Sequence, residues 1–224
     1  MTPYQVKHEL FTFGSSEFEI RSLLDRQQYW DPDGEAERAN VPEAMWSLFG
    51  QVWPAGLFLA ELMATFPCKG KRILEVGCGL AMASLVLQRR DADVSSTDQH
   101  PLADAFLQSN IDLNNLTAIP FQGGSWDECN LAMEKFDLII GSDLLYEAAQ
   151  LTLLAAFIER HANPTAEVII VDPGRGNHGK FNQAMKEQGF SRQTEWSDKK
   201  KIRQTLSKGL LLNFSRTSQV PVYS

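Results

Sequence analysis

The residues best suited to hold a ligand lie in one short segment, ILEVGCG, at residues 73–79. Its apolar first half is typical of a buried strand, and Gly77 and Gly79 follow where the chain turns into a helical segment. In a sheet with helices on both faces, this turn borders the ligand crevice, and its glycines let the main chain approach the ligand. The segment therefore predicts a ligand site at the turn.

Glu75 limits what that ligand can be. A carboxylate near the end of a buried strand is costly to desolvate unless a positive partner compensates it. A dinucleotide pyrophosphate adds only negative charge there, whereas the amino acid portion of S-adenosylmethionine carries an ammonium group. Met82 also replaces the third glycine of the dinucleotide fingerprint. Both observations favour S-adenosylmethionine.

Asp98 supplies a second carboxylate, roughly twenty residues past the glycines, where an acid can bind both ribose hydroxyls. This placement suits NAD as well as S-adenosylmethionine, so it indicates an adenosine ligand without choosing between them. The alternative is that Asp98 caps the helical segment that begins HPLADAF.

Short apolar runs alternate with longer helical patterns from Lys71 onward, which predicts an α/β fold. We expect a Rossmann-like, doubly wound sheet of seven strands, mostly parallel, with an antiparallel hairpin at its C-terminal end. The strands are predicted at RILEV, DVSST, AIPFQ, FDLIIGS, EVIIVD, SRQTEWS and GLLLNFSR. The helices between them are predicted at LAMASLVLQRR, PLADAFLQSNIDLNN, EAAQLTLLAAFIERH and NHGKFNQAMKEQGF, the last ended by Gly189.

This domain is predicted to span residues 52–224. Residues 1–51 form a small N-terminal extension, with a β-hairpin around GSSE. The polar, turn-rich segment at 31–43 is predicted to be a loop that caps the C-terminal edge of the sheet.

Charge and cysteine content exclude several classes of protein. A net charge of −7 repels nucleic acid, and the one dense basic run, at 198–203, is either a solvated loop or a docking patch for an acidic protein. Cys68, Cys78 and Cys129 are odd in number and form no CxxC pair, so we expect no disulfide framework and no metal site. No apolar run reaches membrane-spanning length. A cytoplasmic monomer that binds neither nucleic acid nor membranes is expected.

Several motifs together resemble a known family. ILEVGCG with Asp98 is similar to the class I, seven-stranded S-adenosylmethionine-dependent methyltransferases, from about Trp53 to the end of the chain. The segments VWPAGLFLAELM and FDLIIGSDLLYE resemble the protein lysine methyltransferases called methyltransferase family 16, with their Trp-Pro helix start and Asp-x-x-Tyr motif. VDPGRG, at 171–176, resembles the members that act on the beta subunit of electron transfer flavoprotein.

The resemblance implies S-adenosylmethionine as cofactor, S-adenosylhomocysteine as product and a protein lysine as acceptor. It also places Trp53 at the methionine end of the cofactor, although Trp53 could instead anchor the extension to the core. Ser125 and Trp126 would flank the adenine. The family usually has an apolar residue in place of Ser125, and Trp126 could be a packing residue.

Asp143 and Tyr146 are the predicted catalytic residues. Methyl transfer from a sulfonium requires an amine lone pair that is aligned with the methyl group and stripped of water. Asp143, at the end of an apolar strand, is expected to border the cofactor and to orient the lysine ammonium, while Tyr146 desolvates it. Alternatively, Asp143 caps a helix that begins near Glu147. Arg175 either contacts the substrate protein or simply lies in a turn.

Three other functions stay open. A small-molecule, nicotinamide-like amine could be the acceptor, or the chain could be an NAD-dependent oxidoreductase that shares the glycine turn and Asp98. The third alternative is a catalytically idle methyltransferase fold that serves as a binding module. A DNA amino-methyltransferase is disfavoured, because the segment SDLLY replaces the Asn/Asp-Pro-Pro-aromatic motif of that group.

Overall fold

The structure is a computed structural model that describes residues 4–25, 34, 38, 46–127, 133–193, 206 and 208–217. The predicted cap loop at 31–43, apart from two residues, and the basic run at 198–203 lie outside these ranges. Among the residues described, none of the helices is both long and apolar enough to span a membrane.

The strands of the described chain are β1 (Val6–Phe13), β2 (Ser16–Leu23), β3 (Arg72–Val76), β4 (Asp93–Asp98), β5 (Phe121–Gly123), β6 (Phe136–Ser142), β7 (Ala162–Asp172), β8 (Ser191–Gln193) and β9 (Leu210–Arg216). The α-helices are α1 (Pro54–Met63), α2 (Met82–Arg89), α3 (Ala103–Leu113), α4 (Leu151–His161) and α5 (His178–Glu187). A single turn of 3₁₀-helix, Ala148–Gln150, precedes α4.

Seven strands form one sheet in the order β5-β4-β3-β6-β7-β9-β8, which confirms the predicted fold class. Neighbours from β5 to β7 are parallel, whereas β9 is antiparallel to both β7 and β8. Two predicted boundaries were wrong. The strand at AIPFQ begins only at Phe121, since Pro120 has no N–H to donate to the ladder. The strand at EVIIVD begins five residues earlier, at Ala162.

The sheet is buried on both faces, as a parallel sheet with helices on each side must be. Successive residues of β6 alternate between the two cores: Leu138 and Ile140 pack in one, and Ile139 packs in the other. Helices α1, α2 and α3 cover the first face, and α4 and α5 cover the second. The strands therefore hold their C-terminal ends, and the loops that follow them, in a fixed arrangement.

The N-terminal hairpin of β1 and β2 is docked on α3 through side-chain amides. Asn114 accepts a hydrogen bond from the main-chain N–H of Glu19 at 3.0 Å and donates one to its carbonyl at 2.7 Å. Asn110, one turn earlier, accepts from the N–H of Arg21 at 2.7 Å. The two amides thus satisfy the free edge of β2, and the hairpin packs against the sheet domain.

Candidate cofactor and acceptor site

In the described part of the chain, a cleft lies where the parallel strands end. Most of the residues predicted to bind the cofactor or the acceptor line it: Trp53, Gly77, Gly79, Asp98, Trp126, Asp143 and Tyr146. Its other lining residues are Leu48, Phe49, Gln99, His100, Ser142, Leu144 and Arg175. Two predicted cofactor residues, Glu75 and Ser125, are described by the structure but do not line the cleft.

The glycine turn between β3 and α2 has the backbone conformation that requires glycine. Gly77 and Gly79 have φ values of +58° and +53°. A Cβ atom built on Gly79 would meet no atom within 4 Å, so this residue faces open space. A Cβ atom on Gly77 would come within 2.6 Å of Leu144 Cδ2, so this residue instead permits close packing. Gly79 therefore leaves room for a ligand against the main chain.

Asp98 closes the cleft at the end of β4. Its Oδ2 accepts a hydrogen bond from the N–H of Gly79 at 2.8 Å, and its Oδ1 accepts one from the N–H of His100 at 2.8 Å. Burial raises the pKa of this carboxyl group. The helix-cap alternative was wrong, because α3 has Leu102 at its N-cap and no side-chain cap bond. Asp98 lines the cleft with oxygen lone pairs to spare for ligand hydroxyls.

Glu75 is only 4% exposed, and hydrogen bonds within the protein partly offset the burial of its charge. Its Oε2 accepts hydrogen bonds from both the main-chain N–H and the hydroxyl of Ser84, in the first turn of α2. Ser96 Oγ in turn donates to Ser84 Oγ at 2.8 Å. The positive end of a helix thus stabilises the carboxylate, while burial raises the pKa of Glu75 to about 7. Its contact with a cofactor ammonium stays a prediction.

Asp143 is paired with Arg175. The guanidinium donates from Nε to Oδ1 at 2.7 Å and from Nη2 to Oδ2 at 2.9 Å. The Asp143 side chain is 10% exposed and that of Arg175 is 35% exposed. Asp143 itself has φ +57°, and its N–H donates to Val171 O at 2.8 Å. The helix-cap alternative for Asp143 was wrong, since Gln150 is at the N-cap of α4.

Tyr146 and Trp53 form apolar walls of the cleft. Burial raises the pKa of the Tyr146 phenol, so it is neutral at physiological pH. Trp53 is at the N-cap of α1, and its indole Nε1 donates to Leu48 O at 3.1 Å. Trp53 therefore lines the cleft and also ties the extension to the core, while its place at the methionine end of the cofactor stays a prediction.

The loop after β5 contributes one of its two predicted residues. Trp126 lines the cleft and also packs against the core below α4. Its carbonyl accepts a hydrogen bond from Arg160 Nη2 at 2.6 Å. The hydroxyl of Ser125 is bonded to Asp127 instead.

The aromatic residues at 46–49 of the extension contribute to the site in a way that the sequence analysis did not predict. Phe49 stacks on His100 with ring centroids 3.9 Å apart, and Trp46 lies 4.5 Å away on the same ring. Burial lowers the pKa of His100 to about 3, so the imidazole is neutral. The spacing of the two aromatic residues, three apart in WSLFG, was the one available signal, because it indicates a helical turn with a shared face.

Comparisons with known proteins identify the family and the fold of this chain. The model of a family described as lysine methyltransferase matches residues 42–188, which is more than half of the chain. The electron transfer flavoprotein beta subunit lysine methyltransferase of Xenopus laevis is 28% identical over 165 residues, 71% of this chain and 63% of the relative. Protein N-lysine methyltransferase METTL21A of Danio rerio is 31% identical over 103 residues, 42% of this chain and 47% of the relative.

Solved structures show the fold. The 16S rRNA N2 G1207 methyltransferase of T. thermophilus, in complex with AdoMet and guanosine, aligns with a TM-score of 0.65 and 16% identity over 96% of this chain and 51% of that chain. The ribosomal protein L11 methylase of Lactobacillus delbrueckii subsp. bulgaricus aligns with a TM-score of 0.56 and 23% identity over 71% of this chain and 77% of that chain.

The alignments cover only part of the relatives and part of this chain. The aligned region spans 63% of the length of the frog and zebrafish flavoprotein methyltransferases, which is less than two thirds. Within this chain, the family match begins in the extension at residue 42, ahead of the predicted domain boundary, and runs through α5. Because that match covers more than half of the residues, the chain belongs to the lysine methyltransferase family.

Proposed function

We propose that this chain is an S-adenosylmethionine-dependent N-methyltransferase that modifies a lysine side chain of a protein. The observation that carries the proposal is the single cleft that contains both Asp98, at the predicted cofactor end, and Asp143, at the predicted acceptor end. The names of the relatives support the acceptor class, since three are lysine methyltransferases of electron transfer flavoprotein beta subunit and another is EEF1A lysine methyltransferase 3.

The cleft fits the cofactor that the family implies. Gly79 leaves open space against the main chain, and Asp98 offers fixed acceptor oxygens for ribose hydroxyls. Trp126 can stack on the adenine, and Trp53 can border the methionine end. S-adenosylmethionine, when bound, supplies an activated methyl group. Glu75 supports the site from outside the cleft by fixing Ser84 and the first turn of α2.

Asp143 and Tyr146 would prepare the acceptor. Asp143 is a nearly buried carboxylate on a rigid main chain, so it can orient an amine entering the cleft. Tyr146 and the neighbouring Leu144 present apolar surface that excludes water from the amine. The protein has little covalent chemistry to perform; positioning and desolvation are its contribution.

A paired titration tests the cofactor part of the proposal. We expect purified protein to bind S-adenosylhomocysteine saturably, in the micromolar range, and to show no binding of NADH in a parallel calorimetric experiment. Binding of NADH alone would support the oxidoreductase instead. Binding of S-adenosylhomocysteine with no methyl transfer to any acceptor would support the idle binding module.

The proposal includes a monomeric state and a cytoplasmic location. Cys68 and Cys78 are free and buried, as is usual in a reducing compartment. Light scattering coupled to gel filtration measures the oligomeric state, and a dimer mass at micromolar concentration would contradict this part of the proposal.

A further inference from the structure

Arg175 occupies the side of Asp143 that an acceptor amine must reach. We propose that Arg175 is a specificity-determining residue: the amine gains access to Asp143 when Arg175 transfers to a carboxylate of the substrate, so the lysines that are methylated have an Asp or Glu nearby. The inference rests on the proposed function, because it concerns the same acceptor site.

The geometry of the Arg175–Asp143 pair opposes its replacement by a lysine. Arg175 donates to both carboxylate oxygens of Asp143, at 2.7 and 2.9 Å, in the bidentate arrangement that a guanidinium forms best. An ammonium group is a compact, strongly hydrated charge and cannot reproduce two parallel bonds. A lysine therefore does not displace Arg175 from Asp143 on its own.

The charge of Asp143 also limits what can enter the site. Asp143 is only 10% exposed, and one carboxylate cannot neutralise both a guanidinium and an incoming ammonium there. Asp172, buried at the end of β7, already accepts a weak 3.5 Å hydrogen bond from the main-chain N–H of Arg175. An uncompensated cation at a desolvated site is costly. A carboxylate that arrives with the substrate can pair with the guanidinium at the exposed mouth of the cleft, which leaves Asp143 for the ammonium.

Arg175 is placed where it can exchange Asp143 for a carboxylate of the substrate. Its side chain is 35% exposed at the mouth of the cleft, so its guanidinium is within reach of a docked protein. Gly174 and Gly176 flank it with φ values of +97° and +87°. A Cβ atom on Gly174 would lie 2.6 Å from Lys208 O, whereas one on Gly176 would meet nothing within 4 Å, so the open side of the loop is at Gly176. The loop is anchored beyond the second glycine, where Asn177 Nδ2 donates to Leu145 O at 2.8 Å.

The experiment maps methylated lysines. Wild-type protein and the Arg175→Gln variant are each incubated with S-adenosylmethionine and lysate proteins from a strain that lacks this protein, and methyllysine sites are identified by mass spectrometry. The strongest wild-type substrate is then purified with its acidic neighbour intact or replaced by Gln. We expect wild type to prefer the acidic form by about two- to fivefold in kcat/KM, the range of an ion pair at a partly exposed site. Arg175→Gln should show a ratio near one.

Two further variants sharpen the test. Lys180→Gln removes an exposed cation from α5 and should leave the preference intact. Arg175→Lys keeps the charge but loses the bidentate geometry, so it should keep part of the preference and accept the Gln form of the substrate more readily.

The results separate this inference from the proposed function. A wild-type ratio near one overturns it, as does a preference that survives in Arg175→Gln. A uniform loss of activity in that variant, with the ratio unchanged, also overturns it, because Arg175 would then only orient Asp143. Absence of methyllysine with every variant, although S-adenosylhomocysteine binds, would instead refute the proposed function.

Discussion

The carboxylate of Asp98 accepts a 2.8 Å hydrogen bond from the main-chain N–H of Gly79, a residue nineteen positions earlier. The end of β4 and the glycine turn are therefore joined directly, before any ligand is considered. Each holds the other in place, with the turn open toward the cleft and the carboxylate beside it.

Replacing Asp98 by Asn should weaken the binding of S-adenosylhomocysteine by about tenfold or more, the usual loss when charged hydrogen bonds are removed. An amide has one acceptor oxygen, so it cannot serve the N–H groups of Gly79 and His100 and the ligand hydroxyls together. Calorimetric titration measures the loss. Asp104→Asn, an exposed carboxylate on α3, is the control, and equal affinity of Asp98→Asn and wild type would contradict the assignment.

Alanine at Gly77 and at Gly79 should have different consequences. Both glycines have positive φ, so both variants carry backbone strain of about 1–2 kcal/mol. Gly77→Ala also drives a methyl group into Leu144 and should lower the melting temperature further. Gly79→Ala meets no protein atom but fills the cleft, so it should lose S-adenosylhomocysteine binding with the smaller loss of stability. Thermal unfolding and calorimetry distinguish the two, and the reverse pattern would refute the orientation of the turn.

Asp143→Asn should abolish methyl transfer while changing the affinity for S-adenosylhomocysteine by less than about twofold, because Asp143 acts on the acceptor. Asparagine tolerates the φ of +57° at this position, whereas Asp143→Ala adds backbone strain of about 1–2 kcal/mol. The Asn variant is therefore the cleaner test, and thermal unfolding should show that it is the more stable of the two. Full methyl transfer by Asp143→Asn would refute the role assigned to the carboxylate.

Glu75 should make the stability of the protein depend on pH. Its folded-state pKa of about 7 lies above its ordinary value of 4.5, so the folded state binds the proton more tightly. The stability present at low pH is therefore lost as the pH rises from 4.5 through about 7, by at most about 3 kcal/mol. The Glu75→Gln variant has no carboxyl group to ionise at this position, so it should not lose this stability.

Urea unfolding between pH 5 and pH 8, in the absence of a cofactor, measures this loss of stability. Relative to wild type, Glu75→Gln should gain stability from pH 5 to about pH 7 and then level off, while the exposed Glu17→Gln should show no such trend. A difference between Glu75→Gln and wild type that does not change with pH would mean that Glu75 is not desolvated as the structure indicates.

Local patterns were sufficient to predict the sheet and most of the cleft. The apolar run before Gly77 and the acid that ends β4 can each be recognised from one strand and the turn that follows it. Parallel strands place their C-terminal ends at the same edge of a sheet, so both features are expected there. Pro54 likewise predicts the first turn of α1, and the structure has Trp53 at its N-cap.

Pairings between distant elements were not predictable from one sequence. Arg175 meets Asp143 because β6 and β7 are adjacent, with Ser142 opposite Val171 in their register. No local periodicity encodes that register. In the same way, one sequence did not reveal that the Ser84 N–H bonds Glu75, because this contact forms only when α2 begins at Met82 and presents that N–H.

The central claim is that this protein transfers methyl groups from S-adenosylmethionine to lysine side chains of proteins. Its most direct test is incubation with S-adenosylmethionine carrying a labelled methyl group and lysate from a strain that lacks the protein, followed by amino acid analysis of the labelled proteins. We predict label in methyllysine with wild type and none with Asp143→Asn. Label confined to small molecules or to other amino acids, or no label although the cofactor binds, would contradict the claim.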